Sequence, residues 1–241
     1  MFKNATTIPA WTQIEELVKD IPGWSPIDQL YTLFTLAIFA SPTEGDILEI
    51  GSWGGRSAVI LGNAAKELNA HLHCVDLFPE KEDWYQNKDG TWSFKVDVEG
   101  RKIGSYELQT VWKEPYENQI VPLYEKYGSV RKVFDKSIES SGLNDYVIAT
   151  KGDMEIFSRH APINLKLRMA FIDGDHGYNA VCNDIKAVDK YLLPGGIICF
   201  DDAFSSYKGV DKAITELIIN NPAYTVKRQM VRKFFVAKKA V

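Results

Sequence analysis

A doubly wound, mostly parallel α/β sheet is the fold this sequence predicts, on three observations. Short apolar runs of the kind buried on both faces of a sheet alternate with helical segments from Asp46 onward. A glycine-rich turn, Gly51-Ser-Trp-Gly-Gly, joins the first of those strands to the first of those helices. Acidic residues close several of the strands, at Asp76, Asp173 and Asp201-Asp202. With 241 residues, 45% of them hydrophobic and 25% charged, the chain fits one soluble globular domain with decorations. The net charge of -4 argues against nucleic acid as the main partner. Cys74, Cys182 and Cys199 are scattered in apolar or helical contexts, so they read as buried free thiols of a reducing compartment rather than a zinc site. No signal peptide is visible at Met1, and the apolar run near Tyr31 to Ala40 is too short for a bilayer. The expectation is a cytoplasmic protein with no membrane partner.

Residues 1–44 read as N-terminal helices. Trp11, Ile14, Leu17, Val18 and Ile21 fall at helical spacing, and Pro22-Gly23 ends that helix. Ser25 and Asp28 are spaced as a capping box with Pro26 at the first helical position, and the second helix runs to Ser41-Pro42. Ile47, Leu48 and Ile50 then form the first core strand. Gly51 and Gly55 let the backbone turn sharply and approach a ligand, and a helix from Ser57 offers free N–H groups. Glu49 is unusual inside a strand end. It would repel a pyrophosphate and suits an ammonium or hydroxyl group.

The next strand, from His71, ends in Asp76, about twenty residues beyond Gly55, the interval at which a carboxylate meets a ribose. Residues 79–127 interrupt the alternation and are rich in aromatics: Trp84, Tyr85, Trp92, Phe94, Tyr106, Trp112, Tyr116 and Tyr124. Asp89-Gly90 marks a hairpin within this insertion. It reads equally as a lid over a ring-shaped substrate or as the interface of a homo-oligomer. The core resumes with a helix over Ser129 to Ser141, a strand from Tyr146, a short helix over Met154 to His160 and a strand from Met169. A helix from Asn179 to Leu192 is stopped by Pro194-Gly-Gly, and a strand from Ile197 follows. A helix over Lys208 to Ile219 and two antiparallel strands complete the chain.

Asp173 and Asp201-Asp202 end strands separated by one helix, so they share one rim of the sheet, where ligands of open α/β folds bind. Carboxylates crowded there repel one another unless a cation sits among them, and hard oxygen ligands favour magnesium, calcium or manganese. His176, with Asp175 beside it, lies on the same rim loop and is a candidate general base.

Taken in order, Ile47-Leu-Glu-Ile-Gly-Ser-Trp-Gly-Gly-Arg-Ser, Asp76, Gly152-Asp153, Asp173 and Leu193-Pro-Gly-Gly resemble the landmarks of class I S-adenosylmethionine-dependent methyltransferases. The resemblance covers Asp46 to the C-terminus apart from the insertion. It implies a Rossmann-like seven-stranded sheet ending in an antiparallel strand pair. Phe171-Ile-Asp-Gly-Asp-His-Gly-Tyr with Asp201-Asp202 resembles the cation-dependent O-methyltransferases that act on catechols and antibiotic sugars. Catechol-type members differ in carrying Lys at the position of His176 and Asp-Asn at that of Asp201-Asp202. Carried over to this chain, Gly51 and Gly55 shape the loop under the methionine part, with Glu49 near its amino end and Trp53 facing the sulfonium. Asp76 takes the ribose, Asp153 the adenine amino group, and Asp173, Asp201 and Asp202 a divalent cation, Mg2+ first, with Asp173 counted among the cofactor-binding residues too. Asp173 or His176 accepts the proton of a small-molecule hydroxyl, a sugar or a phenol. An NAD-linked oxidoreductase and a non-catalytic cofactor-binding module are the alternatives. The first is disfavoured because the turn is not Gly-x-Gly-x-x-Gly.

Overall fold

In a computed structural model, residues 10–105 and 110–241 are described. Tyr106 and the leader reading at Met1 lie outside them. Two helices, α1 (Trp11–Val18) and α2 (Ile27–Phe39), precede the core. The core follows as β1 (Asp46–Ile50), α3 (Arg56–Glu67) and β2 (Leu72–Asp76). The insertion holds β3 (Trp84–Gln86), β4 (Trp92–Val98), β5 (Arg101–Ser105), the short α4 (Lys113–Pro115), a π-turn and α5 (Val121–Tyr127). Then come α6 (Val130–Ser140), β6 (Val147–Lys151), α7 (Met154–His160), β7 (Leu167–Ile172), α8 (Tyr178–Tyr191) and β8 (Leu192–Phe200). The chain closes with α9 (Lys208–Ile214), a π-turn over Thr215–Ile219, β9 (Tyr224–Gln229) and β10 (Phe235–Lys239).

Seven strands form one sheet in the order β6-β2-β1-β7-β8-β10-β9. The first five are parallel to one another, while β10 is antiparallel to both β8 and β9. Strand residues alternate between two cores, as the two-residue period requires. Ile47, Leu72, Cys74, Met169 and Phe171 pack against α1, α2, α3 and the insertion. Leu48, Ile50, Val75, Ala170 and Ile172 pack against α7, α8 and α9. The chain winds outward from β1 to β2 and β6 on one side, and from β7 to β8 on the other. The order therefore reverses between β1 and β7, and a crevice opens at their carboxyl ends.

Several expectations need correction. The Ser25/Asp28 capping box does not form: Pro26 is the N-cap of α2, no side chain caps it, and Asp28 instead accepts from Arg232 Nε at 2.7 Å. Pro194 does not precede the strand but lies inside β8, where the pairing with β7 shifts register between Leu167 and Met169. The final helix gives way to a π-turn at Thr215. The hairpin at Asp89-Gly90 is present, and it gains a third strand, β5, that the sequence pattern does not reveal.

The insertion's aromatic residues mostly serve its own packing. Trp92 stacks on Tyr116 at 3.9 Å between centroids, and Trp84 packs edge-on to Phe94 at 4.8 Å. Trp84 Nε1 donates to Tyr124 Oη, which in turn donates to Pro79 O at 2.8 Å. The three cysteines are buried and free. Among the described residues, no helix is long and apolar enough to cross a membrane.

Candidate active site

The turn after β1 is fixed by close backbone approach. Gly51 has φ +90°, and a Cβ there would lie 2.1 Å from the Asp173 carbonyl oxygen, so only glycine fits. Gly55, at φ +91°, is the left-handed N-cap of α3. Arg56 follows and anchors the N-terminal helices to this turn. It donates from Nη1 to Val18 O (2.6 Å) and Ile21 O (3.0 Å), and from Nε to Ser25 O (3.0 Å).

Asp76 organises the turn from the end of β2. Its Oδ2 accepts from Trp53 N at 2.9 Å and its Oδ1 from Phe78 N at 2.5 Å. Burial raises its pKa above the usual aspartate range, against the pull of those N–H groups. Glu49 is fully buried beneath the turn, and burial pushes its pKa up to about 7 although nearby Ser52 and Ser57 hydroxyls oppose the shift. Its Oε2 lies 3.5 Å from Cys74 Sγ, while Oε1 has no hydrogen-bond partner. Asp153 N-caps α7 through Ile156 N at 3.0 Å and is gripped by Arg101 of the insertion, Nη1 to Oδ1 at 3.3 Å and Nη2 to Oδ2 at 3.1 Å.

Asp173, Asp201 and Asp202 converge across the ends of β7 and β8. One carboxylate oxygen of each lies within 4.8 Å of the other two. Burial, then the neighbouring Asp201 and Asp202 charges, pushes Asp173 well above the usual range. Burial and Asp202 raise Asp201 too. Burial would also raise Asp202, but His176 and Lys233 outweigh it and hold that carboxylate below its usual range. His176 Nε2 lies 2.8 Å from Asp202 Oδ2, and its ring stacks on Tyr207 at 3.9 Å. Asp175 accepts from Ser105 Oγ at 2.9 Å and from Gly177 N at 2.6 Å.

Two participants escape the sequence reading. Lys233 Nζ donates to Asp202 Oδ1 and lies 3.8 Å from Asp201 Oδ1. Gln29 of α2 is fully buried with neither side-chain amide atom hydrogen-bonded, close enough to Asp201 to oppose the rise in its pKa. The signal for Lys233 is the antiparallel register. Phe235 pairs with Phe200, so two further steps set Lys233 opposite Asp202, and Ala203 N donates to Lys233 O at 2.9 Å.

These groups surround a cleft of about 1030 Å³. Gly51, Trp53, Asp76, Asp153 and the Asp173/His176/Asp201/Asp202 group line it, whereas Glu49 and Gly55 stand behind the lining. Trp84, Phe94, Arg101, Ser105 and Trp112 of the insertion form its roof. The volume lies at the upper end for small-molecule sites, enough for two ligands side by side.

A reversal-point crevice with a glycine turn and carboxylates at the ends of β2, β7 and β8 is the arrangement of a class I methyltransferase fold. Residues 48–203 match the methyltransferase-domain family, and the chain belongs to it. It is thus an S-adenosylmethionine-dependent methyltransferase, as the motif resemblance implies. Solved structures share its fold. One is an O-methyltransferase from Bacillus cereus in complex with SAH, at 17% identity and TM-score 0.56, covering 97% of this chain and 93% of that one. TomG, an O-methyltransferase from Streptomyces achromogenes bound to SAM, has 13% identity and TM-score 0.57 over 100% and 92% of the two chains. The O-methyltransferase NovP has 14% identity and TM-score 0.60 over 89% and 81%.

Proposed function

We propose that this enzyme methylates a hydroxyl oxygen of a small ring-bearing molecule, a sugar or a phenol, with the help of a divalent cation. The convergence of Asp173, Asp201 and Asp202 beside the Gly51 turn is the observation that carries this reading. The cofactor fits the residues present. S-adenosylmethionine is a cation without phosphate, and the cleft offers carboxylates where a nucleotide site would offer an anion cradle. Asp76 would hold the ribose, Asp153 the adenine side, and Glu49 the methionine ammonium from behind the turn. A Trp53 face beside the loop suits a sulfonium.

The donor set also fits a hard cation, since all three ligands are carboxylate oxygens. Asp173, Asp201 and Asp202 would hold such a cation, and it would supply Lewis acidity toward the acceptor hydroxyl. The residues do the rest. Asp173 and His176 both line the cleft beside this cluster, and one of them would take the acceptor proton. Asp202 holds the His176 ring through Nε2, and His176 keeps Asp202 ionised. The insertion roofs the cleft, and ion pairs hold it down: Arg101 to Asp153 and Glu155, and Glu99 to Arg159 and His160. A lid excludes water from the transfer.

Methyl transfer should cease with EDTA and return with Mg2+ or Mn2+, and Asp173→Ala should lower turnover at least a hundredfold. Activity indifferent to chelator would overturn the cation reading. Calorimetry with S-adenosylhomocysteine and with NAD separates the methyltransferase reading of the cleft from the oxidoreductase one.

A further inference from the structure

The carboxylate trio already contains a positive charge. Lys233, in the turn between β9 and β10, is brought there by the β8–β10 register, and its ammonium group contacts Asp202 and approaches Asp201. Both carboxylates are nearly enclosed, at 7% side-chain exposure, whereas the lysine side chain is 39% exposed. Its ammonium group lies on the carboxylates, yet the side chain as a whole is open enough to solvent to be displaced. Such a side chain can leave by rotamer changes alone, without disturbing either strand.

Gln29 adds an uncharged neighbour from the start of α2, whose Asp28 accepts from Arg232 beside Lys233. Gln29 is fully enclosed on α2, and its amide is near Asp201. Unlike Lys233 it has no route out. Beside His176, which is buried against Asp202, the trio thus has a fixed neutral neighbour in Gln29 and a removable cationic one in Lys233. A divalent ion on Asp201 and Asp202 and an ammonium group on the same carboxylates would repel at contact distance, in a site where water screens little.

We propose that Lys233 is a resident counter-ion that occupies the cation's place in the empty enzyme and swings out when a metal binds. This rests on the cation reading above. Lys233 then acts as a positioning residue that sets metal affinity. It makes the carboxylates tolerable to bury without metal, and it raises the threshold at which metal enters. The C-terminal hairpin, which contributes nothing to the cofactor turn, becomes the element that decides the metal requirement.

The test is Mn2+ binding to the cofactor-free protein, followed by calorimetry and by the electron paramagnetic resonance of free Mn2+. Lys233→Met should bind Mn2+ at least tenfold more tightly than the parent, and Lys233→Arg no more tightly. In the parent protein, mass spectrometry should show Lys233 acetylated faster by acetic anhydride when Mn2+ is saturating than when it is absent. This second measurement needs no variant to fold. Equal affinity in parent and Met variant, weaker binding by the Met variant, or acetylation slowed by Mn2+ would each overturn the counter-ion role and leave the metal reading standing. Absence of Mn2+ binding in parent and variant alike would instead remove the metal reading, and this inference with it.

Discussion

Replacing Asp76 by Asn tests whether one carboxylate both builds the cofactor turn and binds the cofactor. Each of its oxygens accepts a separate backbone N–H, from Trp53 and from Phe78. An asparagine offers one oxygen and one NH2, so one of those donors must face another donor. Leaving a buried N–H unpaired costs about 1–3 kcal/mol. In a domain of this size, each kcal/mol lowers Tm by about 2–4 °C, so a fall of roughly 2–12 °C follows. Trp53 stands at φ 45°, a conformation that non-glycine residues hold only when restrained, and the Asp76 bond is its restraint. The ribose would lose a charge-assisted acceptor as well, weakening S-adenosylhomocysteine about tenfold or more. Differential scanning fluorimetry and calorimetry read the two effects separately. An unchanged Tm would refute the structural role. A lowered Tm with unchanged affinity would refute the ribose contact alone.

Glu49 gives a pH signature. Its carboxyl sits near 7 in the folded chain, against an ordinary 4.5, because it is buried. The folded state therefore binds a proton that the unfolded state has lost, and stability from this group is full below about 4.5 and falls as pH rises through 7. Glu49→Gln should remove that loss, so its advantage over the parent should grow by about 2–3 kcal/mol between pH 5 and pH 8 in urea denaturation. An advantage equal at both pH values would contradict the burial argument. Arg101→Ala should loosen the roof. Partly exposed pairs of this kind contribute about 0.5–1 kcal/mol, so S-adenosylhomocysteine should dissociate a few-fold faster in stopped-flow, and added salt should accelerate release from the parent more than from the variant. Identical release rates would show that the insertion is no lid.

What the sequence discloses is what depends on local backbone and strand order. Gly51 and Asp173 are legible because a turn that brings two strand ends into contact needs glycine, and because a single helix separates Asp173 from Asp201. The mostly parallel sheet follows from alternation of type, its antiparallel end from the short connection between the last two strands, and its seven strands are what the family resemblance implies. Side-chain partnerships are another matter. Lys233 reaches Asp202 only through a pairing register that no spacing announces. Gln29 comes from a helix far away in the chain, and its amide looks like any polar residue on a helix. Strand β5, Arg-Lys-Ile-Gly-Ser, lacks apolar alternation, so its pairing with β4 is invisible beforehand. The insertion's rings suggest a substrate by composition, yet Trp84, Trp92, Phe94 and Tyr116 also pack ring to ring with one another.

The bond from Tyr124 Oη to Pro79 O has a consequence for how such a chain diversifies. Strands β2 and β6 are neighbours in the sheet, yet the whole insertion runs between them. An unstructured loop of that length would cost about 1 kcal/mol more to close than an ordinary helical crossover. Here Tyr124 meets Pro79, so the insertion returns to its own starting point and the sheet experiences a short connection. The segment behaves as a cassette plugged into a socket. Under the proposed lid role, a change in its contents would alter which acceptor fits, while the closure at Pro79 and the edge pairing of β2 with β6 would stay.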